Sequence, residues 1–158
     1  MSSDLALALS ALGIGIVAGL RSLTAPAAVS WAAYLHRLDL RDSRLAFLGS
    51  TLAVFTISTL GVGELVVDKL PFALSRTSPP SMIFRTLSGA ICGASLCLSA
   101  HLVVVGTVLG GLGALNGAFG GFHARRLLVK HVKITDTAIA FAEDALAIGA
   151  GLFFVFRF

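Results

Sequence analysis

GVGELVVDKLPFALSRTSPP, from Gly61 to Pro80, is the stretch on which the interpretation of this chain depends. It ends a long apolar run with Glu64 and Asp68 four residues apart, which is one helical turn, and then becomes a polar segment that contains Arg76. A charged side chain near the centre of a bilayer costs on the order of 2.5–3.5 kcal/mol even on the most lenient insertion scale. Two carboxylates at the end of an apolar segment therefore require a protein-lined or hydrated environment.

The composition is that of an integral membrane protein. Of the 158 residues 56% are hydrophobic and 13% are charged, with a mean hydropathy of +0.93, whereas soluble domains carry roughly a quarter charged residues. The net charge of +4 does not indicate nucleic acid, because the basic residues lie between apolar runs, where lipid headgroups account for them. We expect a multi-pass protein of the bacterial cytoplasmic membrane whose partner is the lipid bilayer.

The apolar runs predict an all-α, polytopic transmembrane bundle with five or six membrane segments. Residues 4–36 form either one broken span or two short segments in a hairpin or re-entrant element, because Ser22 and Thr24 are good helix caps and Pro26 suits a first turn. A basic loop is expected over residues 123–133. The other predicted spans cover residues 46–69, 81–100, 102–122 and 134–158.

A faint internal repeat predicts inverted topology within a single transmembrane domain, residues 1–158. The halves would be residues 4–70 and 102–158, linked by the span at 81–101. FTISTLGVGELVVDKL resembles ITDTAIAFAEDALAIG, which sets Glu64 against Glu143. In this alignment Asn116 corresponds to Arg21. Each would be a polar residue at a helix break in its own half. Inverted repeats are common in transporters.

The acidic residues in apolar sequence form the predicted ion site. Glu64 lies about 8 Å before the end of its span, and Glu143 about 10–13 Å into the last span. Antiparallel spans place both at similar depth, where a carboxylate cluster could bind a hard cation or exchange protons. The predicted ion-binding residues are Glu64, Asp68, Glu143, Asp144, Asn116 and Arg21, supported by Lys69, Arg76 and Arg85, with Glu64, Asp68 and Glu143 as metal ligands.

Two other interpretations of the same residues stay open. In a structural one, Asp68 and Lys69 mark the membrane boundary. Glu143 or Asp144 then pairs with Arg21, Arg76 or Arg85 to hold the bundle together. In the other, Arg21 and the capped helix start after it bind an anion, such as a phosphate, a carboxylate or a lipid headgroup, because a helix N-terminus offers unpaired N–H groups. Arg76 and Arg85 would assist.

Neither catalysis nor a cofactor is expected, apart from a transported metal ion. The four histidines are scattered at span ends, and no nucleophile elbow, metalloprotease motif, phosphate loop or dinucleotide fingerprint is present. Glycines four residues apart allow helices to approach closely, either in a homodimer or within one chain. They are Gly89 and Gly93, Gly106 and Gly110, and Gly113, Gly117 and Gly121.

The stretches AGLRSLTAPAAVSWAA and GELVVDKLPFALSRTSPPSMIFRTLSGAICGA resemble a family of small bacterial membrane proteins known only as a domain of unknown function. The resemblance covers most of the chain and implies the membrane fold, but no activity. It is carried by Glu64, Asp68-Lys69-x-Pro71, Ser75-Arg76-x3-Pro80 and Arg85-x2-Ser88-Gly89-Ala90.

Glu64-Leu-Val-Val-Asp68-Lys69 is similar in style to a motif of calcium and manganese cation/proton exchangers, Glu-x-Gly-Asp-Lys/Arg-Thr/Ser. This chain has one extra residue and no glycine between the acids, so the similarity implies a style of site. The leading prediction is a small transporter of an inorganic, divalent cation, with protons as the counter-substrate where exchange occurs. The alternatives are an anion or lipid-headgroup transporter or binder, and a structural membrane protein without transport activity.

Overall fold

The computed structural model describes residues 3–41, 43–67, 78–132 and 136–157, and within these ranges the regular structure is helical throughout. The prediction of an all-α fold is confirmed. The helices are α1 (Ser3–Leu20), α2 (Thr24–Tyr34), a 3₁₀ turn (Ala46–Gly49), α3 (Thr51–Val67), α4 (Pro79–Leu96), α5 (Val103–Val132) and α6 (Asp136–Phe156).

Three of the described helices are long and apolar enough to cross a bilayer, namely α1, α5 and α6, and α3 is a shorter apolar helix. At 1.5 Å per residue, the 18-residue α1 is about 27 Å long. These helices support the prediction of a membrane protein in contact with lipid. The number of crossings stays a prediction.

The chain turns back on itself after α1. Arg21, which follows α1, pairs with Asp144 of α6, and Val17, one turn earlier, lies against Gly151. Ala28 of α2 lies against the same Gly151, so α2 returns along the bundle instead of continuing α1. The predicted break within residues 4–36 is therefore found and α1 and α2 form a hairpin, but only α2 is short, because α1 has the length of a membrane span.

Close backbone approach holds α1, α4 and α5 together. A Cβ atom added to Gly110 of α5 would lie less than 3.0 Å from the backbone of Gly89 in α4, and one added to Gly19 of α1 less than 3.0 Å from the backbone of Ala114 in α5. The absence of side chains at these positions lets the helices pack at backbone distance, as small residues do in membrane bundles. The glycine faces of the sequence are therefore used within one chain.

The predicted helix break at Asn116 is wrong. α5 runs without interruption from Val103 to Val132, and the basic loop expected over residues 123–133 is helical as far as Val132. The amide of Asn116 donates to the carbonyl of Leu112 one turn back, at 2.8 Å, so it does not leave the helix to act as a cap. Residues 4–70 thus hold a broken helix where residues 102–158 hold a continuous one, and the inverted repeat stays a prediction.

α3 is the peripheral helix. Only Val54 and Gly61 of its 17 residues are buried, and it packs mainly against α2. The Trp31 indole of α2 donates to the hydroxyl of Ser58 at 3.0 Å. α3 is thereby placed with Glu64, near its C-terminal end, beside the turn between α1 and α2.

Candidate ion site at the turn between α1 and α2

The turn at residues 21–23 leaves backbone groups that neither helix can satisfy by itself. The last carbonyls of α1 and the first N–H groups of α2 have no partner within their own helices. Unpaired backbone groups are costly in a membrane bundle because lipid supplies no hydrogen bonds. The site consists of the side chains that satisfy these groups.

Glu64 of α3 caps the N-terminus of α2. One carboxylate oxygen, Oε1, accepts hydrogen bonds from the backbone N–H of Ser22 at 2.8 Å and from its hydroxyl at 2.5 Å. The other oxygen, Oε2, accepts from the N–H of Leu23 at 2.8 Å. A carboxylate at this position also interacts favourably with the positive end of the helix dipole. Glu64 therefore occupies the place that an anion takes at a helix N-terminus.

The prediction that Ser22 or Thr24 caps α2 is wrong. The N-cap position of α2 is Leu23, which makes no side-chain capping bond. The Ser22 hydroxyl donates to Glu64 instead, so the capping group comes from another helix. Local sequence could not show this, because the capping carboxylate lies about 40 residues further along the chain.

Arg85 of α4 satisfies the other side of the turn. Its Nη1 donates to the carbonyls of Gly19 at 2.7 Å and Leu20 at 2.8 Å, which are the last carbonyls of α1. Its Nη2 lies 3.7 Å from Oε1 of Glu64. A guanidinium at a helix C-terminus and a carboxylate at a helix N-terminus both complement the helix dipoles. The two charged side chains thus hold the two helix ends together.

Ser88, one turn after Arg85, donates its hydroxyl to the carbonyl of Ser22 at 2.5 Å. Ser81 accepts a hydrogen bond from Nε of Arg85 at 3.0 Å. The sequence predicted roles for neither serine at this site. Ser88 does lie in the Arg85-x2-Ser88 pattern that carries the family resemblance. That pattern is the feature of the sequence that could have indicated a role for Ser88 beside Arg85.

A second buried ion pair lies at the same turn. Nη2 of Arg21 is 2.5 Å from Oδ1 of Asp144 in α6, and the Arg21 side chain is fully buried. Burying a guanidinium is costly unless a carboxylate and further hydrogen bonds compensate. Asp144 lies 13 residues before Arg157, so the pair is about 20 Å from that end of α6.

The structure therefore brings together Glu64, Asp144, Arg21 and Arg85 at one turn. Glu143, the neighbour of Asp144, is half-buried on α6, whereas Asn116 is exposed on the outer side of α5. Asp68, Lys69 and Arg76 lie outside the described residues. The shared depth was predicted for Glu64 and Glu143 and stays a prediction, whereas Asp144, the neighbour of Glu143, reaches the same turn as Glu64.

The described residues contain no group of three or more His, Cys, Asp or Glu side chains arranged to hold a metal ion. Both oxygens of Glu64 face N–H or hydroxyl donors. Arg85 lies near the Glu64 carboxylate and Arg21 pairs with Asp144, so a cation would have to compete with an arginine for either acid. Asp68, the third acid of the predicted metal ligands, is not among the described residues. The site as described thus favours negative charge at the position of the Glu64 carboxylate.

Residues 8–157 match the family described as a domain of unknown function, DUF4126. The chain belongs to the DUF4126 family. This match covers nearly the whole chain and confirms the resemblance seen in the sequence. No curated protein and no solved structure matches the chain. For this DUF4126 protein the similarity to cation/proton exchangers stays a prediction.

Proposed function

We propose that this protein transports a small inorganic ion across the membrane and that the turn between α1 and α2 is its binding site. Irregular backbone within a membrane bundle is tolerated where it is buried in protein or lines a cavity. Discontinuous helices whose ends point at the substrate are a common way to build transport sites. Ionisable side chains inside a membrane bundle mark ion and proton pathways by default.

The position of the Glu64 carboxylate carries the proposal and favours an anion. Two backbone N–H groups and the Ser22 hydroxyl donate to it, and the Arg85 guanidinium lies 3.7 Å away. These groups form an anion site that a side chain of the protein occupies. When Glu64 takes up a proton it loses its negative charge, and a free anion replaces it at the same donors. Anion uptake is then coupled to proton uptake on Glu64.

The loose packing of α3 is consistent with a mechanism in which Glu64 moves away from the turn. An apolar groove of about 210 Å³ lies between α2, α3 and α6, with Ala28, Gly61 and Ile148 among its lining residues. Because α3 packs mainly against α2 and few of its residues are buried, little packing opposes a movement of α3. Such a movement would carry Glu64 away from the donors of Ser22 and Leu23.

A divalent cation exchanged for protons is the second candidate. It is favoured by the approach of Glu64 and Asp144 to one turn from two different helices, with Glu143 beside Asp144. In this mechanism the cation displaces Arg85 from Glu64 and Arg21 from Asp144. Asp68 would supply a further ligand.

Proteoliposomes separate these functions. The wild-type protein would be tested with chloride, phosphate, calcium and manganese as separate probes, and a pH-sensitive dye would report the internal proton concentration. For anion transport we expect Glu64→Gln to retain anion flux but to lose the proton movement that accompanies it, because glutamine cannot carry the proton. For cation exchange the same variant abolishes cation flux, because glutamine removes a charged ligand. Asp39→Asn, in the exposed segment after α2, is the matched control and should behave as wild type.

An absence of flux with all four probes, together with normal folding of Glu64→Gln, would exclude transport of these ions and favour a structural role for the acids. Equal proton coupling in the wild type and Glu64→Gln would instead refute the role of Glu64 as proton carrier.

Ser22→Ala tests the donors directly. The substitution removes the hydroxyl that donates to Oε1 of Glu64 and leaves the backbone N–H groups in place. A hydrogen bond to a charged group is worth about 1.5–3 kcal/mol, so we expect an anion to bind about tenfold more weakly or worse. The measurement is the anion concentration at half-maximal flux. Ser99→Ala, in the exposed turn after α4, is the control, and an unchanged value for Ser22→Ala would place the anion elsewhere.

A further inference from the structure

The outer face of α5 carries one polar residue, Asn116, in the middle of an apolar stripe that ends at His123. The side chains on this face recur every three or four residues, and the face points away from α1 and α4. Val108, Leu112 and Phe119 are 54%, 48% and 49% exposed, and Asn116 lies among them, also exposed. The complete stripe consists of Val105, Val108, Leu112, Asn116, Phe119 and His123.

Asn116 lies deep along the helix. It is 13 residues after Val103 and nine before Arg125, which are distances of about 20 Å and about 13 Å along the axis. Its amide nitrogen donates one hydrogen bond, to the carbonyl of Leu112. An asparagine side chain has two N–H donors and an acceptor oxygen, and within the described part of the chain the second N–H and the oxygen make no hydrogen bond. Lipid cannot satisfy these groups.

We propose that a second copy of this chain covers the outer face of α5, with Asn116 of one copy hydrogen-bonded to Asn116 of the other. Two copies with the same orientation in a membrane are related by a two-fold axis along the membrane normal, so their α5 helices run parallel and a residue near the axis meets its own copy. Asparagine suits that position because it is both a donor and an acceptor. A single buried asparagine also fixes the register of paired helices.

The geometry of the face fits a helix partner. A Cβ atom on Gly120, one turn after Asn116, would have no atom within 4 Å, so a neighbouring helix can approach there. No residue with a formal charge interrupts α5 between Val103 and Phe122. This interface differs from the predicted one, because glycines expected to form a dimer pack within the chain. Gly89 and Gly93 of α4 meet α5, and Gly106, Gly110, Gly113 and Gly117 of α5 meet α4 or α1. It is independent of the proposed transport function.

Disulfide cross-linking in membranes tests the contact. The native Cys92 and Cys97 are both buried, so the wild-type protein should form no disulfide-linked dimer under mild oxidation. We expect Leu112→Cys to give a species of twice the mass. Ile83→Cys, on α4 and 62% exposed, is the matched control and should cross-link far less. Equal cross-linking at both positions would indicate random collision and overturn the proposal, as would no cross-linking at Leu112→Cys in folded protein.

Asn116→Leu tests the hydrogen bond. The variant keeps roughly the size of the side chain and favours the helix more than asparagine does, but it removes the amide, so we expect dimerisation in lipid to weaken about five- to tenfold. The readout is energy transfer between labelled copies as the protein is diluted with lipid. Thr107→Val is the control, because Thr107 makes the same kind of bond to its own helix, to the carbonyl of Val103, but lies off the stripe. Unchanged or tighter association of Asn116→Leu would overturn the assignment of Asn116 to the interface.

Discussion

Replacing Gly110 by alanine is expected to lower the free energy of unfolding by about 3 kcal/mol or more. A Cβ atom at this position would lie less than 3.0 Å from the backbone of Gly89 and close to that of Gly93. Backbone atoms in the middle of a helix cannot rotate away as a side chain can. The substitution therefore forces α4 and α5 apart along their contact and removes packing over several turns.

Gly120→Ala is the matched control, because it makes the same chemical change in the same helix. Nothing lies within 4 Å of a Cβ atom there, so we expect no loss of stability and a gain of up to about 0.5–1 kcal/mol from helix propensity. Unfolding in detergent, followed by circular dichroism against denaturant concentration, measures both variants. If Gly110→Ala were as stable as Gly120→Ala, α4 and α5 would not be in backbone contact at this level.

The glycine spacing illustrates how far the sequence alone can lead. A run of small residues four apart predicts a close helix contact because only small residues let backbones meet in lipid. It does not identify the partner helix, because small residues are needed equally for a close contact within the chain and for one between two copies. Only the three-dimensional arrangement shows that Gly89 and Gly110 meet within one chain.

The turn between α1 and α2 shows the opposite limit. Ser22, Thr24 and Pro26 predicted a helix start, and α2 does begin at Thr24, but neither predicted cap is used. The group that caps the helix is the carboxylate of Glu64, and local preferences contain no information about it. The topological prediction paired Glu64 with Glu143, whereas the acid of α6 that reaches the turn is its neighbour Asp144, because depth along a helix does not determine which of two adjacent side chains faces the bundle.

Asn116 was misinterpreted for a related reason. Comparison with Arg21 suggested that a polar residue in a glycine-rich apolar run marks a helix break. The polar groups of Asn116 and Arg21, however, find their partners in different places. The Asn116 amide bonds to the preceding turn of its own helix, which leaves α5 continuous. Arg21 follows the end of α1 and pairs with another helix.

Removing one member of the Arg21–Asp144 pair is expected to be the most damaging change at the site. Asp144→Asn removes the negative charge of the carboxylate that lies 2.5 Å from the guanidinium of the fully buried Arg21. Breaking a buried ion pair by removing one partner costs about 3–5 kcal/mol. The same denaturant measurement in detergent gives the loss, and Asp39→Asn, an exposed carboxylate, should change stability by less than about 0.5 kcal/mol.

The double variant Arg21→Leu with Asp144→Leu decides what the pair is for. Replacing both members of a buried pair by apolar residues is often neutral or stabilising, so we expect it to recover most of the stability that Asp144→Asn loses. If the recovered protein also shows the ion flux that we propose for the wild type, the pair serves to hold α1 against α6. If the double variant folds but shows no ion flux, the two charges are needed for function. The cost of burying them is then not offset by a gain in stability. A double variant as unstable as Asp144→Asn would show that the geometry of the turn itself depends on the two charges.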